Sequence, residues 1–411
     1  MIRPIKLIMC GLAISPVPTE CAQAERAPLS NFHFAAVLLL ALAAHAVYWS
    51  TRPPDMSIFL EPWLAHIVQY GPVGAFAHPF SNYEPAYLYL LAAGSLAHTL
   101  LPAMDIIKLL SVAGSIFLTF ATADLLRTLG APPRLAVFTL VLPTVVINAA
   151  LLGQCDALWG GACVFALAAM MRGATLRALA WCGVAIAFKS QAAFIAPVMI
   201  GAMIGRRAPW WQWMVPGAVF LATLGPAWLM GWPMWNLLTV YFDQAALVKF
   251  AGRLANPWIV GTIFADQDVR SYFILGYAAA AAAGAGIAVL AARAAHDRRT
   301  LLLLALLSAT ALPFLLPKML ERYYFLADIL ALSMALAFAT RRAVLVAIAI
   351  QIASAISLLT YIYSYHWPYP ALAGIAFAAA GLVGTILMLR DNRLEQPALQ
   401  ERLTSRSTQA A

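Results

Sequence analysis

Ala178-Leu-Ala-Trp-Cys-Gly-Val-Ala-Ile-Ala-Phe-Lys189-Ser-Gln-Ala-Ala-Phe-Ile-Ala-Pro197-Val-Met-Ile-Gly-Ala-Met-Ile-Gly205 decides the topology of this chain. It is apolar almost throughout, but Lys189 and Pro197 interrupt it. At about 1.5 Å per helical residue, 178–188 reach only about 16 Å, roughly half of a 30 Å hydrocarbon core. The expectation is a helical hairpin that enters the bilayer and returns, with Lys189 near its turn. A single long tilted helix is the rival, and it would invert everything downstream.

Composition sets the environment. The 411 residues are 63% hydrophobic and 10% charged, with a mean hydropathy of +0.81, whereas soluble domains carry about 25% charged residues. Apolar runs of spanning length recur along the chain, so it reads as an all-α, polytopic membrane protein. A net charge of +9 could suggest nucleic acid, but the basic residues fall in short connecting loops, as the bias toward cytoplasmic Lys and Arg produces. No nucleic-acid partner is expected. Of the five cysteines, Cys155, Cys163 and Cys182 lie in or against apolar spans and none makes a CxxC pair. All five, Cys10 and Cys21 included, read as small buried hydrophobes.

Spans are expected near 31–50, 106–126, 134–151, 156–172, 211–231, 272–292, 300–316, 323–340, 343–363 and 371–389. That gives about ten full crossings plus the 178–205 hairpin. Residues 1–30 read as a cytoplasmic extension, 31–390 as the membrane domain and 391–411 as a cytoplasmic tail. Arg3 and Lys6 precede a short apolar run broken by Gly11, too weak for a cleaved signal peptide.

Orientation follows from counting. With the N-terminus inside and 85–104 lying along the outer surface, 18 of the 26 Lys and Arg fall on the inner side. The outer side receives Arg52, Lys108, Lys249, Arg253, Arg270, Lys318 and Arg322. If 85–104 crossed, Arg127 and Arg134 would move outside and Asp156 inside. The outer face therefore collects Asp55, Glu61, Glu84, Asp156 and the Lys318–Arg322 cluster. The long outer loop 232–270 adds Trp232, Trp235, Tyr241, Phe242 and Trp258, which are interfacial anchors or a stacking platform for sugar rings.

The polar residues in this apolar chain are the candidates for chemistry. Lys189 costs about 2.5–3.5 kcal/mol within a span; it either snorkels or, with Gln191 beside it, binds an anionic group such as a lipid phosphate. Lys318-Met-Leu-Glu-Arg-Tyr-Tyr324 offers a point charge and a planar guanidinium fork, with Glu321 positioning Arg322 or pairing with it privately. Asp55 reads as a general base, a metal ligand, or an N-cap accepting from the amides of Ser57 and Ile58. Asp156, after Gly153-Gln154, caps a span or serves the site. Glu84 precedes Pro85 and reads as a helix start. No P-loop, GxGxxG or HExxH occurs, so a cytoplasmic nucleotide-sugar donor is unsupported.

Three stretches then fall into a pattern. Gly153-Gln-Cys-Asp-Ala-Leu-Trp159 resembles the GQxDALW stretch of multi-pass GT-C superfamily glycosyltransferases, and Phe188-Lys-Ser-Gln191 with Pro197 resembles their FKxQ hairpin. Lys318-Met-Leu-Glu-Arg-Tyr323 resembles the KMHERY loop of the bacterial GPI-mannosyltransferase-like branch. The likeness covers about residues 30–390, with Leu320 where that branch has His. It implies a polyprenyl-phosphate-sugar donor, a glycan, lipid or protein acceptor, and a reaction on the outer face of a bacterial inner membrane. It also implies Asp55 as catalytic base, Asp156 as the second acid, and Lys189, Lys318 and Arg322 around the lipid phosphate. Gln154, Gln191, Glu321 and Glu84 are supporting candidates. No cofactor is assigned; a divalent metal is compatible but has no ligand pattern behind it. A transporter or flippase is the rival class, since membrane-buried charges also mark substrate paths, and a glycan polymerase or ligase is a third.

Overall fold

The structure, a computed structural model, describes residues 29–247, 254–264, 272–363 and 368–409. The N-terminal extension through residue 28, Cys10, Cys21, Lys249, Arg253 and Arg270 lie outside the described residues. Regular structure among the described residues is entirely helical.

In chain order the helices are α1 (Asn31–Tyr48), α2 (Glu61–Tyr70), α3 (Pro85–Ser95), α4 (Ala103–Thr128), α5 (Pro143–Val146), α6 (Asp156–Met171), α7 (Thr175–Phe188) and α8 (Ala196–Gly205). They continue as α9 (Val215–Leu229), α10 (Met234–Leu247), α11 (Pro257–Phe264), α12 (Phe273–Arg293), α13 (Arg298–Leu315), α14 (Phe325–Phe338), α15 (Arg341–Ile362) and α16 (Pro368–Gln409). Side chains start several of them. Ser30 caps α1 by accepting from the His33 amide at 3.3 Å, Asp297 opens α13 by accepting from Arg299 at 3.0 Å, and Thr340 opens α15 by accepting from Ala343 at 3.2 Å. The last helix continues past residue 390, so no break marks the expected tail.

Among the described residues, six helices are long and apolar enough to cross a membrane, and up to eight spans result if each bent pair counts as one. This is fewer than the ten crossings that the apolar runs suggest. The run 134–151 is bent by 59° between Pro133–Val141 and Pro143–Leu151, and Trp210–Leu229 with Met234–Gln244 is bent by 119°. The runs at 156–172 and 323–340 become helices of only 16 and 14 residues. The reason is burial: nearly every residue of α6 is buried within the bundle. A helix sheathed by protein rather than lipid need not match the bilayer's thickness.

The hairpin stretch breaks at Lys189, whose backbone is extended between α7 and the turn Ser190–Ile195. Its two arms leave and return at the same end of the bundle. Thr175, at the start of α7, donates to Gln212 beyond α8 at 2.6 Å, and Arg206 lies against Gly173. Gly201 and Gly205 let α8 press on α12, since a Cβ at either would collide with the carbonyl of Ala288 or Ala292.

Residues 49–105 likewise stay at one end. Trp49 donates to Asp105 at 2.8 Å, and the buried Lys108 ammonium donates to the carbonyls of Tyr48, Trp49 and Thr51 at 3.0, 2.6 and 2.6 Å. With 11 residues, α3 reaches only about 16 Å. The opposite end gathers arginines: Arg134 donates to Asn31 at 2.9 Å, Arg172 to Asp124 at 2.9 Å, and Arg298 to the Thr128 carbonyl at 2.9 Å. One end of the bundle is thus basic, and the acids that matter stand at the other.

Candidate functional site

A cavity of about 540 Å³ opens at that other end. Asp55, Gln154, Asp156, Lys189, Gln191, Lys318, Glu321 and Arg322 all line it, although they come from segments up to 267 residues apart in sequence. Each is delivered by a break in helical structure, because side chains inside a regular span would face neighbouring helices or lipid.

Gly153 makes the first break. Its φ of +64° turns the chain out of the π-helical turn Ile147–Leu151, and a Cβ there would collide with Met56. The turn starts α6 at Asp156, whose carboxylate is 3% exposed. Lys189 donates to its Oδ1 at 2.6 Å, Trp159 to the same oxygen at 2.9 Å, and Asn148 to Oδ2 at 2.5 Å. Asp156 therefore does not act as a side-chain cap. Lys189, itself 7% exposed, also lies 5.1 Å from the centre of the Tyr83 ring, an attractive placement for a desolvated cation. This is an inward-facing, paired lysine and not a snorkelling one.

Asp55 is fixed from three sides. Tyr361 donates to Oδ1 at 2.7 Å and Gln154 to Oδ2 at 3.1 Å, while Arg322 Nη1 stands 3.2 Å from Oδ2. Gln154 accepts in turn from Tyr83 at 3.1 Å. The N-cap reading fails: Asp55 has helical backbone angles and its side chain caps nothing. The carboxylate instead turns inward, because four-fifths of it is shielded by partners from other segments.

Arg322 also pairs with Glu321, Nε to Oε1 at 3.2 Å, so Glu321 and Asp55 share one guanidinium. Burial disfavours the charge on Arg322, but Glu321, Asp156 and Asp55 outweigh it and hold the guanidinium firmly protonated. Lys318 has a left-handed backbone, φ +61°, a conformation costing about 1–2 kcal/mol for a residue with a Cβ. Among the described residues it makes no ion pair. Leu320, at the position of the resembled His, lines the cavity. Gln191 lines the cavity beside Tyr323.

Glu84 is placed differently from the other candidates. It sits at the N-cap of α3 with Pro85 following, yet its side chain makes no capping bond. Both carboxyl oxygens are buried without a hydrogen-bond partner, and it is not among the cavity-lining residues. Burial pushes its carboxyl up to about 8. Burial likewise pushes the Tyr83 phenol up to about 12, with Lys189 pulling the other way.

The expected aromatic loop divides. Trp232 is buried against Phe80 and Phe76, Trp258 donates to the Leu315 carbonyl at 2.7 Å, Trp235 and Phe242 are exposed, and Tyr241 reaches the cavity wall while donating to the Ile186 carbonyl. Cys155 and Cys163 are buried and free; Cys182 is partly buried. Among the described residues no three His, Cys, Asp or Glu side chains gather to hold a metal ion.

Sequence reading missed Tyr361, Tyr83 and Asn148. A tyrosine at the end of an apolar span is ordinary at a membrane interface, so Tyr361 gave no signal. Asn148, a carboxamide inside an apolar run, was the available clue.

No family model matches the chain, and no curated protein does. Among solved structures, the crystal structure of ArnT from Cupriavidus metallidurans bound to undecaprenyl phosphate is similar over 89% of this chain and 78% of that one, at 16% identity and a TM-score of 0.41. At that distance the functional reading falls to the cavity's own residues.

Proposed function

We propose that this protein is a GT-C-type membrane glycosyltransferase that moves a sugar, such as mannose or another hexose, from a polyprenyl-phosphate donor to an acceptor hydroxyl. One observation carries the reading: Asp55, held by three partners, shares a single cavity with Lys189, Lys318 and Arg322. A base for the acceptor and cations for a phosphate are what this transfer needs. The excess of arginine at the opposite end favours a site on the periplasmic face of a bacterial inner membrane.

In this mechanism the acceptor oxygen attacks the anomeric carbon while its proton passes to Asp55. The bond from that carbon to the phosphate oxygen breaks with inversion, and the polyprenyl phosphate leaves with the bonding pair. Negative charge grows on the leaving phosphate, so cations already in place lower the barrier most. Lys318, with no carboxylate partner among the described residues, and Arg322 are the leading phosphate ligands. Lys189 keeps two of its three donors after pairing with Asp156. Asp156 then serves to set the lysine rather than to take a proton.

The test uses the full-length protein in nanodiscs with a panel of polyprenyl-phosphate sugars, and Asp55→Asn to trap the donor. Selective binding of one lipid sugar, with transfer falling at least about a hundredfold in Asp55→Asn, supports the reading. Full transferase activity in a folded Asp55→Asn protein removes Asp55 as the base. Failure of every lipid sugar to bind overturns the enzyme and leaves a transporter for anionic lipids.

A further inference from the structure

One carboxylate plays no part in the proposed reaction. Asp328 lies in the first turn of α14 and is 2% exposed. Its Oδ2 accepts from the Ser354 hydroxyl at 2.7 Å, and Thr144 lies beside the carboxyl. Its Oδ1 is buried with no hydrogen-bond partner. Among the described residues no Lys, Arg or His pairs with it. A lone buried carboxylate of this kind is expensive unless something neutralises it.

The neighbouring oxygens suggest what does. Thr144 Oγ1 and Gln351 Oε1 stand 3.4 Å apart, long for a hydroxyl hydrogen bond, which prefers about 2.5–3.0 Å. It suits two oxygens at right angles around an ion about 2.4 Å from each. Calcium takes oxygens at about 2.3–2.6 Å, and sodium has nearly the same radius. Charge decides between the two: one carboxylate among neutral oxygens is balanced by a monovalent ion, whereas a divalent one would leave net charge in an apolar bundle. Potassium, being larger, would hold the same oxygens farther apart.

We infer that Asp328, Thr144, Ser354 and Gln351 form a sodium site where α5, α14 and α15 meet. The site is independent of the reaction proposed above. It stands directly behind the catalytic cavity: Thr144 is one turn before Asn148, which donates to Asp156, and Ser354 is two turns before Tyr361, which donates to Asp55. An ion here would fix the two elements that orient the cavity's acids. Asn148 Oδ1, buried and unpartnered, continues the polar line from the cluster toward the cavity.

The test is thermal unfolding of the full chain in detergent, with sodium chloride replaced by potassium or choline chloride at constant total salt. Sodium alone should raise the midpoint in a saturable way, by about 3 °C or more, and ²²Na⁺ should bind one per chain. Asp328→Asn should abolish the sodium-dependent shift. Should that variant not fold, Thr144→Val should raise the half-saturating sodium concentration at least tenfold. Identical midpoints in the three salts overturn the site, as does an unchanged sodium response in Asp328→Asn or in Thr144→Val.

Discussion

Replacing Lys189 with Met would leave Asp156 as a buried charge with two neutral donors, Trp159 at 2.9 Å and Asn148 at 2.5 Å. Removing one member of a buried pair costs about 3–5 kcal/mol; the two remaining donors place this loss near the lower end, about 3 kcal/mol. Asp156→Asn strands the ammonium instead, with the Tyr83 ring face 5.1 Å away offsetting about 0.5–2 kcal/mol. The double variant buries no charge at this point, so its cost should fall below the sum of the singles by about 2–3 kcal/mol. Equilibrium unfolding of the four proteins in bicelles measures that coupling. Single costs that add to within about 0.5 kcal/mol would refute the reasoning, for the lysine would then draw no stability from Asp156. Because both side chains are under 10% exposed, bulk salt should leave the coupling nearly unchanged.

Tyr361→Phe removes a hydroxyl that donates to Asp55 at 2.7 Å; a bond to a charged group is worth about 1.5–3 kcal/mol, so kcat should fall roughly tenfold to a hundredfold with KM little changed, and an unchanged kcat would detach Tyr361 from the base role proposed for Asp55. Lys318→Ala should weaken binding of the polyprenyl phosphate proposed as leaving group about tenfold while leaving the unfolding midpoint nearly unchanged, since alanine keeps the Cβ that strains the left-handed backbone; unaltered affinity would move the phosphate elsewhere. Glu84 supplies a pH signature. Its folded-state value is raised to about 8 from 4.5, so its contribution to stability is full below pH 4.5 and is lost as pH rises through 8. Glu84→Gln should flatten that decline and be the more stable protein at pH 8; parallel pH profiles would show that the buried carboxyl is neutralised by other means.

Particular residues show where sequence reading stopped. The break at Lys189 was visible because eleven apolar residues cannot cross a bilayer, and the arginines at one end were visible because the inside rule leaves a count. The acids and cations of the cavity were visible because each is conspicuous in an apolar chain. Span number was not, because the run ending at Met171 looks the same whether lipid or protein surrounds it. The capping role expected of Asp55 was wrong because capping is a local signal, whereas its partners come from residues 154, 322 and 361.

By itself, then, the sequence determined that this chain is a membrane-embedded helical bundle whose rare charges have sides, since burying apolar surface and sorting basic loops depend on composition and order alone. Only the tertiary structure decided which charge answers which: that Lys189 is held by Asp156, that Arg322 is shared between Glu321 and Asp55, that Tyr361 closes on Asp55, and that Asp328 has no Lys, Arg or His partner among the described residues. Pairing depends on distances of a few ångströms between segments hundreds of residues apart. No periodicity within a segment carries that information.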